Sequence, residues 1–256
     1  MIDSRELKGK VVVLDFWSTW CGPCRQLTHE MDSLLSNYYG KDFQMIGVNF
    51  QESIRKGDPV KYWKESGYRF PMTVDSDAYG KSVDAGNPVV IVVDQNGIVR
   101  GKSHGWTSCR AEEIELLVWL LLEKPEISLQ AAVDELRAKK YVRALYLCDA
   151  VAAKNASEGK ELAPVKLRAL LHVDEWKALE FAKALRVDSK DSERMLTEIG
   201  IAIAETAVVT PAVNALGVEV FEVLIKQYNL GDDLIVYDLM AVSYTHLRAH
   251  ETLMNL

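Results

Sequence analysis

Two cysteines separated by two residues constrain the fold of this chain more than any other feature. Cys21 and Cys24 follow a run of apolar and β-branched residues at 11–17, which predicts a buried strand. A helix is predicted from residue 24, so the pair lies where a strand ends and a helix begins. A helix N-terminus offers unpaired N–H groups and a positive dipole end, which stabilise a thiolate. The placement therefore predicts redox chemistry at this junction.

Each residue of the motif has an expected role. We assign Cys21, at the exposed lip of the turn, as the nucleophile and Cys24, facing inward, as the resolving thiol. Gly22 lets the backbone turn tightly, and Pro23 is tolerated because the first helical residue needs no N–H acceptor. Thiols in such motifs titrate near ~7 instead of ~8.5. About half of the Cys21 thiol would then be ionised at neutral pH.

A zinc ligand pair and a structural disulfide are the alternative uses of such a motif. Zinc normally needs a second ligand pair at matching spacing, but Cys109 and Cys148 are isolated and His29 lies too far along the helix. A structural disulfide across two residues closes a small loop and contributes little stability. Redox chemistry is the favoured interpretation, and no metal or cofactor is expected.

The residues around the motif resemble a known family. Residues 15–24, Asp-Phe-Trp-Ser-Thr-Trp-Cys-Gly-Pro-Cys, look like the active-site segment of the thioredoxin superfamily. The later segments are similar, in order, to the TlpA/ResA-like branch of extracytoplasmic thiol-disulfide oxidoreductases: 47–53, 67–75, 86–94 and 96–99. The resemblance covers about residues 8–122. It implies an α/β thioredoxin-like fold, a central mixed sheet flanked by helices.

The resemblance also implies roles for three residues beyond the cysteines. Asp15 matches the buried acid that assists the inner cysteine in thioredoxins, although the TlpA-like branch often has Asn there. Burial would raise the pKa of Asp15, and an acid inside a β-branched run is costly without a reason; a hydrogen-bonded or exposed strand Asp is the alternative. Glu52 matches a glutamate that ResA-like proteins place near the cysteine pair, and with Asp15 it is a candidate catalytic group that helps to deprotonate Cys24; a solvated loop acid is the alternative. Pro88 matches the cis-proline that faces the disulfide.

The expected substrate-binding residues surround the cysteine pair. They are Trp20, Gly22, Pro23, Asn87 and Pro88. Trp20 matches the exposed tryptophan beside the nucleophile. Asn87 stands where relatives usually have Thr or Pro, which bears on substrate preference and not on the chemistry.

Composition excludes several classes of function. The 256 residues carry a net charge of −7 with no dense basic cluster, so nucleic acid is not an expected partner. No apolar run approaches the ~20 residues needed to span a bilayer. No export segment is visible at the start, so we expect either a periplasmic bacterial protein whose export segment is missing from this sequence or a cytoplasmic one.

The element pattern changes near Pro125. Before it, strands and helices alternate, which predicts a redox domain at 1–123 with these elements: strands 11–17, 44–50, 89–94 and 98–103; helices 24–38, 58–66 and 109–122; and a hairpin turn at 94–97. From 126 to 242, apolar residues recur at helical spacing. Residues 141–148 align with 175–182 at an offset of 34, the tetratricopeptide period, with an unrelated helical bundle as the alternative.

Residues 243–256 resemble translated sequencing-adapter read-through. His246 and His250 lie one helical turn apart and mimic a metal pair, but two ligands do not make a site. We therefore assign this tail no function.

Three functional hypotheses follow. The first is a thiol-disulfide oxidoreductase, expected to be a reductase because Gly-Pro between the cysteines resembles the reducing members of the superfamily. Its partners would be a protein disulfide and an upstream thiol electron donor. The second is an adaptor, in which the helical region binds a protein partner and brings the redox domain to it. The third is a peroxidase, which the Trp20-Cys21 sequence does not favour.

Overall fold

The computed structural model describes residues 3–40, 42–55, 57–74, 76–188, 192–206, 210–228 and 238–243. The chain divides into two compact units, Met1–Pro125 and Glu126–Leu256. Residues 244–256 lie outside the described residues, and with them His246 and His250.

Strand β1 (Val11–Trp17) forms the centre of the sheet in the first unit. It pairs in parallel with β2 (Phe43–Asn49) and antiparallel with β4 (Val89–Val93). Nearly all of its side chains are buried, which explains why the strand is continuously apolar instead of alternating. The outer strands are β3 (Met72–Thr73), parallel to β2, and β5 (Val99–His104), antiparallel to β4.

The five strands form one mixed sheet in the order β3-β2-β1-β4-β5. Four α-helices accompany it: α1 (Gly22–Leu35), α2 (Pro59–Ser66), α3 (Asp77–Ser82) and α4 (Arg110–Glu123). Helices α1 and α4 pack against each other and against the central strands. On α2, the buried Trp63 packs against Trp17 with ring centroids 4.8 Å apart. The architecture is the thioredoxin-like fold that the resemblance implied.

The structure differs from the sequence-based expectation mainly at short elements. Helix α1 begins at Gly22 and ends at Leu35, and a 3-10 turn (Ser36–Tyr38) follows it, where one helix at 24–38 was expected. Strand β3 and helix α3 were not predicted. Two and six residues are too few for a periodic pattern to be visible, and tertiary contacts determine their conformation.

The second unit is helical, with α5 (Leu129–Arg137), α6 (Tyr141–Lys154), α7 (Ala156–Glu161), α8 (Ala163–Val173), α9 (Glu175–Asp188), α10 (Glu193–Glu205) and α11 (Pro211–Tyr228). Residues 238–243 are helical as well. Their core is a cluster of aliphatic residues together with Phe221. Helix α8 begins 34 residues after α5, and α9 begins 34 residues after α6. Helices α10 and α11 depart from this spacing. Among the described residues, no helix is both long and apolar enough to cross a membrane.

Candidate active site

The cysteine pair lies at the junction between β1 and α1. Cys21 and Cys24 form a disulfide with their Cα atoms 5.3 Å apart. Cys21 is the N-cap of α1: its backbone is extended, and its sulfur accepts a hydrogen bond from the Cys24 N–H at 3.2 Å. A helix leaves its first N–H groups without partners, and here one of them points at the Cys21 sulfur. The same donor would favour a thiolate at Cys21 after reduction.

The sulfur of Cys21 is less accessible than the sequence suggested. Cys21 is only 5% exposed and Cys24 is 0% exposed. The expectation that Cys21 is exposed is therefore wrong, although Cys21 is more exposed than Cys24, as expected. The physical reason is the N-cap geometry, because the sulfur that accepts from Cys24 points back over the helix.

Gly22 and Pro23 form the exposed surface beside the disulfide. Gly22 is the first residue of α1, and a Cβ placed there would meet no atom within 4 Å. The tight turn that we expected to require glycine is thus an ordinary helix start. What Gly22 provides is open space next to Cys21. Pro23 lies in the first turn, where the missing N–H has no consequence.

Asp15 is a buried carboxyl group beneath α1. It is 0% exposed, and the Thr28 hydroxyl lies 2.6 Å from its Oδ2. The same hydroxyl lies 2.8 Å from the carbonyl oxygen of Cys24. Among the described residues, Asp15 Oδ1 has no hydrogen-bond partner. Burial raises the pKa of Asp15 to about 7, and the Thr28 hydrogen bond opposes this only in part.

Glu52 occupies a different environment, a loop network beside the site. Its carboxylate accepts from the backbone N–H of Thr19 at 3.0 Å and from the Thr19 hydroxyl. It also accepts from Asn49 Nδ2 at 2.7 Å and from the Gly57 N–H at 3.1 Å. Partial burial raises the pKa of Glu52, but these donors outweigh it and leave the pKa below its ordinary value. Glu52 therefore links the segment after β1 to the loop after β2.

Gly57 makes this network possible. A Cβ at residue 57 would lie closer than 3 Å to Thr19 Oγ1 and to Glu52 Oε1. Any other residue there would displace the carboxylate or the hydroxyl.

The peptide bond between Asn87 and Pro88 is cis. Pro88 is buried, and the Asn87 side chain is half-buried. Asn87 Nδ2 lies within hydrogen-bonding distance of three acceptors: the Phe50 carbonyl at 3.1 Å, Ser18 Oγ at 3.2 Å and Gln51 Oε1 at 3.4 Å. The amide thus joins the cis-proline segment to the segments that follow β1 and β2.

Replacing Asn87 with alanine should destabilise the first unit by about 1–3 kcal/mol, because the buried carbonyl of Phe50 loses its donor. Asn87→Asp should cost at least as much, since it keeps the shape but places a carboxylate against that carbonyl. Urea unfolding followed by tryptophan fluorescence measures both variants. An Asn87→Ala protein as stable as the unmodified chain would show that the three contacts contribute nothing.

Trp20 is half-buried, so the exposed tryptophan implied by the resemblance is partly covered. Its indole N–H donates to the Gln51 carbonyl at 3.0 Å. The guanidinium of Arg55 lies 5.8 Å from the Trp20 ring centroid. These contacts fix the ring beside Cys21.

Sequence reasoning missed Thr28, Ser18 and Gln51. Thr28 had a detectable signal, because it lies four residues after Cys24 and therefore on the same helix face. Ser18 and Gln51 are reached by Asn87 across 69 and 36 residues of sequence, so no local pattern points to them. In the described part of the chain, no group of three or more His, Cys, Asp or Glu side chains is arranged to hold a metal ion.

Known proteins are similar to this chain over part of its length. Residues 1–108 match the Redoxin family. The thiol-disulfide oxidoreductase ResA of Halalkalibacterium halodurans is 32% identical over 131 residues, which covers 49% of this chain and 69% of that protein. ResA of Bacillus subtilis is 34% identical over 76 residues, covering 30% of this chain and 41% of that protein.

Similar solved structures include a thiol:disulfide interchange protein of the thioredoxin family from Chlorobium tepidum. It is 24% identical, with a TM-score of 0.41, and the match covers 47% of this chain and 85% of that one. The chain spans less than two thirds of the length of several of these relatives. The extent of the match to the Halalkalibacterium protein, together with the disulfide at the start of α1, decides the assignment. The chain belongs to the ResA-related thiol-disulfide oxidoreductases, enzymes with a thioredoxin-like domain.

Proposed function

We propose that this enzyme reduces disulfides in protein clients through Cys21 and Cys24. The observation that carries the proposal is the N-cap geometry, in which the Cys21 sulfur accepts the Cys24 N–H at the start of α1. A thiolate at that position is stabilised by the helix dipole and by this donor, and Cys21 is the more exposed of the two cysteines.

The reaction is a pair of thiol–disulfide exchanges. The Cys21 thiolate attacks one sulfur of the client disulfide, which forms a mixed disulfide and releases one client thiolate. The Cys24 thiolate then attacks the Cys21 sulfur, which forms the Cys21–Cys24 disulfide and releases the second client thiolate. Two electrons pass to the client, and both client thiolates take up protons from water. An upstream dithiol must then reduce the enzyme by the reverse exchange.

We assign Asp15 as the group that takes the proton from Cys24. With a pKa of about 7, the Asp15 carboxyl is roughly half ionised at neutral pH and can accept and release a proton there. The Thr28 hydroxyl, which contacts both Asp15 and the Cys24 carbonyl, fixes the carboxyl against the first turns of α1.

Glu52 is better suited to positioning than to proton transfer. Its pKa is lowered, and four donors occupy its two oxygens. A carboxylate held in this way is a weak base. We propose that Glu52 holds Thr19, and through it the adjoining Trp20-Cys21 segment, at a fixed distance from the loop after β2.

The client would lie over Gly22 and Pro23 and against the cis-proline segment. Gly22 leaves open space, Pro23 is exposed, and Trp20 and Asn87 are tethered to the same loop. Pro88 would allow the client backbone to run alongside. The resemblance to extracytoplasmic relatives favours action outside the cytoplasm, and protease protection in intact bacteria expressing the natural gene would test that location.

The proposal is tested by reduction of insulin with dithiothreitol as the electron donor. We expect the chain to accelerate precipitation of the reduced insulin chains well above dithiothreitol alone. An absence of acceleration would refute the reductase assignment. Consumption of hydrogen peroxide without a disulfide client would instead favour a peroxidase.

The second unit favours an additional role in binding a protein partner. Its two helix pairs, α5–α6 and α8–α9, begin at the same 34-residue offset, and Ala144 and Ala178 occupy equivalent buried positions in α6 and α9. We propose that this unit is a tetratricopeptide-like array, a class that commonly serves as an interaction surface. The full chain with both Cys21→Ser and Cys24→Ser should then still associate with the client, and loss of that association would contradict an adaptor role.

A further inference from the structure

Two arginines flank the cysteine pair, and each lies over an aromatic ring. Arg25 follows Cys24 directly, donates its backbone N–H to the Cys21 carbonyl at 3.1 Å, and has its guanidinium 5.9 Å from the Tyr62 ring centroid. Arg55 lies over Trp20, the residue before Cys21, at 5.8 Å. Both arginines are exposed. A guanidinium over a ring is held in position without losing its charge.

Neither arginine is neutralised by a carboxylate among the described residues. This separates them from other arginines of the first unit, since Arg69, Arg100 and Arg110 pair with Asp32, Asp94 and Glu113. The contrast is marked because the whole chain has a net charge of −7. Among the described residues, Arg25 and Arg55 are therefore two cations beside the disulfide that have no carboxylate partner.

Among the described residues, the two acids on either side of Arg55 in the sequence accept from neutral donors and form no ion pair with Arg25 or Arg55. Glu52 is surrounded by four donors, and Asp58 caps α2 by accepting the Lys61 N–H at 2.9 Å. Apolar groups share this surface, since Ile54, next to Arg55, is 58% exposed and Pro23 is exposed. A client that buries this surface without supplying a carboxylate would leave two guanidinium groups poorly compensated.

We propose that the preferred clients carry Asp or Glu side chains beside the disulfide that is reduced. This inference rests on the proposed reductase function and specifies the class of client for the same site. Arg25 and Arg55 receive the client's carboxylates on the two sides of the Cys21–Cys24 pair. The arginines determine specificity and take no part in the exchange of sulfur bonds.

The test uses three synthetic peptides, each with one internal disulfide, that differ only in having Glu, Gln or Lys beside the cysteines. The reduced full-length chain is mixed with an excess of each peptide, and the second-order rate constant of this single turnover is divided by the rate constant for dithiothreitol. This division removes the effect of the flanking charge on the peptide thiols themselves. We expect about a fivefold advantage of the Glu peptide over the Gln peptide at low salt, and a disadvantage for the Lys peptide. The preference should shrink at about 0.5 M salt.

Charge-removing variants locate the effect. Arg25→Gln with Arg55→Gln should abolish the preference, whereas Lys8→Gln should leave it intact, since Lys8 is exposed and lies before β1, at the opposite end of that strand from the disulfide. Equal rates for the three peptides, or a preference that survives in the double arginine variant, would overturn the inference while leaving the reductase function standing. Equal slowing of all three peptides in that variant would also overturn it, because the arginines would then act on the Cys21 thiolate. Failure to reduce any peptide would remove the reductase function and the inference together.

Discussion

Cys21→Ser should reduce the rate of disulfide reduction by at least about a thousandfold, because the hydroxyl that replaces the thiol cannot form or break a disulfide. Cys24→Ser should behave differently. Cys21 can still attack, but no thiol remains to resolve the mixed disulfide. The Cys24→Ser protein should therefore accumulate as a covalent complex with the client, visible as a shifted band without reductant and as a summed mass.

The remaining cysteines serve as matched controls. Cys148 lies in α6, where burial raises the pKa of its thiol to about 12, so it is inert at neutral pH. Cys109 is half-buried at the start of α4. Cys109→Ser and Cys148→Ser should keep full activity. A trapped complex that persists in a Cys21→Ser, Cys24→Ser protein would mean that one of these two cysteines attacks the client.

Asp15→Asn should remove the contribution of Asp15 to the pH dependence of the free energy of unfolding. Burial raises the pKa of Asp15 to about 7 in the folded protein, whereas an unfolded Asp titrates near ~3.9. Asp15 stabilises the fold fully only below about pH 4, and that contribution is lost as pH rises through about 7. Between pH 4 and pH 8 the free energy of unfolding of Asp15→Asn should therefore rise relative to the unmodified chain, by up to roughly 4 kcal/mol.

The quantity to measure is how the difference in free energy of unfolding between Asp15→Asn and the unmodified chain changes with pH. Its value at a single pH is less useful, because the introduced amide adds a cost that does not depend on pH. Urea unfolding of the oxidised protein, followed by tryptophan fluorescence, is suitable since five of the six tryptophans belong to the first unit. Glu52→Gln is the contrasting variant. Its lowered pKa means that Glu52 stabilises the fold above its ordinary pKa and loses this contribution in acid, so Glu52→Gln should be less stable at pH 7 and approach the unmodified chain in acid.

The same variant tests the role of Asp15 in the reaction. If Asp15 accepts the proton of Cys24, Asp15→Asn should slow the second exchange, and the mixed disulfide should become detectable at pH 7. Raising the pH should restore the rate as Cys24 ionises unaided. A rate for Asp15→Asn equal to that of the unmodified chain across pH 6–9 would show that another base, or water, takes the proton.

The sequence predicted the framework of the first unit because its signals are local. A β-branched run and a Cys-x-x-Cys pair identify the junction of β1 and α1, and Asn96-Gly97 identifies the turn between β4 and β5. The burial of Asp15 was inferred because an acid in such a run is costly. Helical spacing alone indicated the second unit, with α5, α6, α8 and α9 at the expected offset.

The contacts around the site were beyond such reasoning. The carboxylate of Glu52 reaches Thr19 across 33 residues, and its geometry requires the missing side chain of Gly57. Whether Cys21 is exposed depends on where its sulfur points, and a residue pattern does not encode that direction. These features arise when separate loops meet, so they depend on the folded chain.

The outer strands of the sheet have a consequence for association. Strand β3 has only two residues, and β5 carries Arg100 and Lys102, the latter capping the carbonyls of Val83 and Asp84 through its Nζ. Edge strands that are short or carry charged side chains disfavour the addition of a strand from another polypeptide. Aggregation of the first unit through strand addition at these two edges is therefore disfavoured.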